Sequence, residues 1–107
     1  VSHKHNLFDP LPPDLDGEHA FPLVETSGFR LERIVSQGQA TPPGHWYDQP
    51  DPEWVMLARG TATLEFADGR RLDLSAGDHL LIPAHQRHRV AGCSVDAVWL
   101  ALHFREA

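Results

Sequence analysis

Cysteine is almost missing from this chain: Cys93 is the only one in 107 residues. No intrachain disulfide can form and no cysteine-based zinc site can be built. Any metal site must therefore draw on His, carboxylate or amide donors. Basic residues are also scarce, nine against fifteen acidic ones, which leaves a formal charge of -6. That balance argues against nucleic acid or an anionic membrane as partner, because both require a basic face to release counterions. Long apolar runs are lacking too. Stretches such as Trp54–Ala58 fall far short of the roughly twenty residues of a membrane span, and no charged-then-apolar leader is visible. With the lone cysteine, these absences lead to the expectation of a cytoplasmic protein. Helical periodicity is the last absence: no window longer than about seven residues carries it.

What is present is a cadence of short strands and turns. Hydrophobic residues at 41% and charged ones at 22% fit one globular domain of this length. The prolines at 10, 12 and 13 oppose helix near the start, so residues 1–17 are expected to form an extended arm, with residues 18–107 as one domain. Phe21–Glu25 contains Pro22 and reads as an edge strand. Phe29–Val35 begins by alternating apolar and charged residues, the mark of a half-buried strand. Further strands are expected at Glu53–Ala58, at Thr61–Phe66 with Ala62, Leu64 and Phe66 inward, and at Arg71–Leu74, His79–Ile82, His88–Val90 and Ala97–Phe104. Asp68-Gly69 favours the positive φ of a two-residue hairpin turn. Turn signals about every eight to twelve residues predict an all-β sandwich or barrel.

Two stretches couple polar side chains to a short strand and a glycine turn. The first runs from Tyr47 through Gln49 and Glu53 to Gly60, and the second from Gly77 through Pro83 and His85 to His88. Six residues separate Glu53 from Gly60, five separate Gly77 from Pro83, and four separate Pro83 from His88. This pattern resembles the paired motifs of the cupin superfamily. The resemblance covers about Arg30 to Phe104, and it implies an antiparallel double-sheet (jelly-roll) barrel that often holds one divalent ion. Glu53 and His88 stand at the family's Glu and second-motif His positions. Tyr47 and Gln49 stand where the family has a His-any-His pair, His85 where it has Gly, and Gly92 where it often has Asn.

Through that resemblance Gln49, Glu53 and His88 are the expected metal ligands, for Zn, Fe, Mn or Ni, with Tyr47 and His85 as proton donors. A neutral amide is a weaker ligand than imidazole, and a phenol titrating near pH 10 is more naturally a hydrogen-bond donor. His45 or His85 would complete the ligand set if either turned inward. His79 and His103 sit beside apolar neighbours and are expected on an outward or inter-subunit face. Trp54 and Trp99 are expected to pack core or interface. The resemblance implies dioxygenases, isomerases or epimerases acting on a small polar metabolite, including a metal-free acid–base form built on Glu53 and His88. A ligand-binding barrel without turnover is the alternative, favoured by the amide and phenol at the usual imidazole positions. Exposed strand edges and strand-face tryptophans lead to the expectation of a homodimer.

Overall fold

The computed structural model describes residues 2–11 and 18–106. The expected arm over 1–17 therefore lies partly outside the described residues. Eight strands follow in order: β1 (His19–Glu25), β2 (Phe29–Val35), β3 (Glu53–Arg59), β4 (Thr61–Phe66), β5 (Arg71–Ser75), β6 (His79–Ile82), β7 (His88–Cys93) and β8 (Val98–Phe104). Among the described residues there is no helix, and so none long and apolar enough to cross a membrane. The strands form two antiparallel sheets. The larger has the order β1-β2-β8-β3-β6 and the smaller β5-β4-β7, the double-sheet barrel that the motifs imply.

Alternation decides which side chains meet between the sheets. Ala62, Leu64 and Phe66 of β4 are buried, as their period-two spacing requires. They pack with Val55, Leu57, Trp99 and Ala101 of the larger sheet. Full burial of a side chain such as Leu57, which has no exposed surface, contributes about 1.5–3 kcal/mol. Gly60 joins β3 to β4 at φ 89°, and a Cβ there would collide with Ser94 Oγ and crowd the Ala97 backbone. Glycine is thus required at the end of the first motif on two counts.

The hairpin between β4 and β5 differs from the two-residue expectation. Phe66 N donates to Arg70 O (2.9 Å) and Gly69 N to Phe66 O (2.9 Å), which makes Ala67-Asp68-Gly69 a three-residue connection. Gly69 has a positive φ and Asp68 does not. The Asp68 carboxylate instead accepts the Arg70 backbone N–H at 3.0 Å, so only one residue needs the left-handed region.

The outer face of the larger sheet carries an apolar row. Val24, Leu31, Leu102, Trp54 and Leu81 are cross-strand partners in succession, one from each strand, and Val24 and Leu81 are 49% and 56% exposed. The described part of the N-terminal segment lies along this sheet: Arg33 Nη1 donates to the carbonyls of Leu7 (2.9 Å) and Asp9 (3.2 Å), and Arg59 stands over the Phe8 ring.

Candidate active site

A pocket of about 180 Å³ opens between the sheets. Register explains its polar wall. Glu53 of β3 pairs directly with His103 of β8, and His103 with Arg30 of β2, so these three side chains project from the same face. Glu32 follows on β2 two residues after Arg30. The charged positions of β2 thus point inward, and Phe29, on the opposite face, is 37% exposed. The half-buried pattern over Phe29–Val35 is real, but its charged residues, not its first apolar ones, supply the pocket wall. His88 enters from the other sheet, at the start of β7. It is held by a two-bond bridge to Tyr47, with Tyr47 N donating to His88 O (2.8 Å) and His88 N to Tyr47 O (3.1 Å).

The groups form a chain across the cavity. The Glu53 side chain is 9% exposed, with Oε1 3.6 Å from His88 Nε2 and Oε2 3.6 Å from His103 Nε2. Both distances allow ion pairing but exceed a direct hydrogen bond. The two carboxylate oxygens therefore keep acceptor capacity toward the cavity. His103 Nε2 lies 3.0 Å from Glu32 Oε1, and the other Glu32 oxygen takes Arg30 Nε at 3.2 Å. His88 Nδ1 lies 2.9 Å from the Gln86 carbonyl. A carbonyl only accepts, so Nδ1 carries a proton and Nε2 is the nitrogen that titrates against Glu53. Burial pulls His88 down, but attraction to Glu53 and the bond to the Gln86 carbonyl outweigh it and leave its pKa above the ordinary imidazole value. The Tyr47 hydroxyl is pushed up by burial and by the nearby Glu18 charge, against a lowering contact from Thr41. Tyr47 is thus a neutral hydrogen-bond donor at the pocket rim, its ring 5.6 Å from that of His88.

Tyr47, Gln49, Glu53 and His88 all line the pocket. His85 does not. It takes φ 62°, the only non-glycine among the described residues to do so, at the position where the motif's resemblance puts Gly. Its ring is 69% exposed and pairs with Asp48 at 2.8 Å. The left-handed backbone turns the side chain away from the barrel, which removes His85 as a proton donor or added ligand. Since αL costs a non-glycine residue roughly 1–2 kcal/mol and exposed ion pairs return little, His85→Gly is expected to raise stability by up to about 1 kcal/mol. Activity should be unchanged, as urea denaturation and a rate assay would show. His45 is exposed and also absent from the pocket wall.

Two expectations are corrected. His103 was expected to face outward, yet its side chain is 11% exposed and it contacts both glutamates. Trp99 belongs to the core, as expected, but also lines the pocket. Trp54 and His79 share the outer face, their rings 5.4 Å apart.

The expected metal ligands can be tested against this geometry. Gln49, Glu53 and His88 supply two ionisable donors and one neutral amide, whereas catalytic sites of zinc type use three strong protein ligands. His103 does not supply the third: its Nε2 is engaged by Glu32. Among the described residues no group of three or more His, Cys, Asp or Glu is placed to hold an ion. The donor set does not fit a tightly held resident metal.

The sequence from residue 32 to 103 matches the family model described as Cupin domain. A crystal structure from Ralstonia eutropha JMP134, carrying the provisional name mannose-6-phosphate isomerase, is 44% identical with a TM-score of 0.90, covering 98% of this chain and 100% of that one. A cupin superfamily protein from Desulfitobacterium hafniense DCB-2 is 15% identical with a TM-score of 0.74, covering 90% and 84%. The structure of Fe(II) HppE is 13% identical with a TM-score of 0.72, covering 88% of this chain and 53% of that one. At these identities the last two show the shared fold alone. No curated protein matches the sequence. With its eight strands in two facing sheets, its inward Glu53 and His88, and a family match over most of its length, the chain belongs to the cupin family.

Proposed function

We propose that the pocket binds a small polar metabolite and moves a proton on it, as a metal-independent isomerase or epimerase. The observation that carries this reading is the buried Glu53 carboxylate facing the Nε2 of His88, whose tautomer the Gln86 carbonyl fixes. On an α-hydroxy carbonyl compound Glu53 takes the proton from the carbon beside the carbonyl, and that C–H electron pair becomes the C=C bond of an enediol. His88 Nε2 gives its proton to the carbonyl oxygen. Glu53 then gives its proton to the former carbonyl carbon while His88 Nε2 takes the proton of the neighbouring hydroxyl, so the isomer forms with both groups restored and no net oxidation. Tyr47 donates a hydrogen bond to the substrate at the rim. The provisional isomerase name of the 44%-identical neighbour supports the reaction class, and a lone cysteine fits a cytoplasmic setting.

The test is deuterium uptake. Protein stripped with chelator is incubated in D2O with a panel of aldoses, ketoses and hydroxy acids, and exchange beside the carbonyl is followed by NMR. Uptake that survives stripping is expected. Uptake lost on stripping and restored by Mn2+, Fe2+ or Zn2+ would return the pocket to metal chemistry on Gln49, Glu53 and His88. No uptake with any compound would leave a binding barrel without turnover.

We also infer that two copies pair over the apolar outer row of the larger sheet. Leu81 is 56% exposed, so Leu81→Glu leaves the fold intact while placing a charge in that interface. A shift from dimer to monomer in light scattering is expected, and a monomeric parent protein would sink the inference.

A further inference from the structure

We propose that His103 and Glu32 form a positioning pair for Glu53, holding its carboxylate between two imidazoles without letting it close on either. The consequence for rate rests on the proton-transfer reading above; the geometry does not.

Glu53 sits midway between two rings. Its Oε1 is 3.6 Å from His88 Nε2 and its Oε2 is 3.6 Å from His103 Nε2, and the three side chains are between 7% and 11% exposed. Where water competes so little, a carboxylate and an imidazole N–H ordinarily close to a direct, charge-assisted bond of about 2.7–2.9 Å, because buried polar groups left unpaired are costly. Glu53 does so with neither ring. The reason lies one contact further out. His103 Nε2 is 3.0 Å from Glu32 Oε1, and the other Glu32 oxygen is held by Arg30 Nε at 3.2 Å. Both neighbours of His103 Nε2 are carboxylates, which accept, so that nitrogen carries a proton and directs it at Glu32. The remaining attraction draws Oε2 toward His103 and away from His88, but Glu32 keeps the ring from swinging onto Glu53.

Strand register builds this arrangement. Glu53 lies directly across from His103, whereas the residue across from Glu32 is Ala101. A methyl at that position leaves Glu32 room to lean along the diagonal to His103, a reach that long side chains make between antiparallel strands. The effect on chemistry is specific. A direct pair with His88 would occupy both the Glu53 oxygen that takes the carbon-bound proton and the Nε2 proton meant for the carbonyl oxygen. His103 is thus a positioning residue acting through Glu53, and Glu32 acts through His103.

The test reads the ring N–H protons of the full chain by nitrogen-edited NMR at about pH 6, where the raised His88 is charged. The parent protein is expected to show a protected Nε2–H for His103 and a rapidly exchanging one for His88. In His103→Leu, Glu53 closes on His88, whose Nε2–H should exchange about tenfold or more slowly. Deuterium uptake by substrate should then fall about tenfold or more in kcat, with KM changed less than about threefold. His103→Gln, whose amide N–H again faces the two carboxylates, should return the His88 signal to fast exchange and recover most of the lost rate. A protected His88 Nε2–H or an unprotected His103 Nε2–H in the parent protein would overturn the proposal, and these two signals decide it even if His103→Leu does not fold. A folded His103→Leu that leaves His88 exchanging rapidly would overturn it as well, whatever the rate. Absence of uptake in the parent protein would remove only the turnover, and the ring signals would still decide the pairing.

Discussion

Glu53→Gln is expected to abolish proton transfer while leaving the barrel at least as stable as before wherever His88 is neutral. A positioned acid–base group contributes typically about 10²–10⁴-fold in rate, and the amide keeps the shape of the carboxylate but removes its basicity. Stability should move the other way. The Glu53 side chain is 9% exposed and meets both imidazoles at 3.6 Å without a direct hydrogen bond. Burying a carboxylate costs several kcal/mol, which ion pairs of imperfect geometry do not fully return. Above the pH at which His88 titrates, replacing this buried charge by a neutral amide of equal volume is therefore neutral or stabilising, by up to about 2 kcal/mol, whereas below it the change removes the partner of the charged ring and is destabilising. Kinetics and urea denaturation on the same preparation check both halves. A variant that loses stability and activity together would mark Glu53 as a structural residue.

His88 should make the fold sensitive to pH in the direction opposite to a buried carboxylate. Its folded pKa lies above the unfolded value of 6.5, because attraction to Glu53 and the Gln86 carbonyl outweigh the desolvation that would lower it. The stabilisation from the charged ring is therefore fully present below the unfolded value and drains away as pH rises through the folded value. The groups that face this ring are Glu53 across the cavity, with Tyr47 and Phe66 beside it. Denaturation midpoints of the parent protein should fall relative to His88→Asn as pH rises from the unfolded imidazole value through the higher folded one. The parent should also lead the variant by the largest margin at the acidic end, on the order of 1–3 kcal/mol for loss of a buried charged partner. Parallel pH profiles for the two proteins would remove His88 as a titrating partner of Glu53.

The barrel was legible in the sequence wherever one face of a strand is apolar. Ala62, Leu64 and Phe66 announce their own burial, and Gly60 and Gly77 mark turns whose positive φ no other residue adopts cheaply. Motif spacing was enough to nominate Glu53 and His88. The rest of the pocket was hidden for identifiable reasons. β8 is apolar on both faces, so the parity of Trp99, Ala101 and His103 is readable but not the side it faces; the pairing of His103 with Glu53 fixes that only in three dimensions. On β2 the usual rule inverts, because a polar cavity makes the inward face the charged one at Arg30 and Glu32. His85 carried a usable signal. A residue standing in a glycine position inherits the glycine's backbone, and that backbone points its ring at Asp48 and away from the pocket.

The pocket field also bears on how far neighbours inform this chain. A shared barrel fixes where the two sheets meet, but the groups that project there are set by single positions such as 47, 49 and 103. An amide and a phenol at the first two are weaker metal donors than imidazole, and the proposed proton transfer rests on that difference.

The most direct measurement is a pH titration of the His88 ring by nitrogen-15 NMR in the parent protein and in Glu53→Gln. The expected result is an Nδ1 that keeps its proton throughout, an Nε2 that titrates above the ordinary imidazole value, and a return toward or below that value when Glu53 is neutralised. An Nε2 that titrates at or below the ordinary value in the parent protein, or that ignores the replacement of Glu53, would contradict the pairing of these two groups across the barrel.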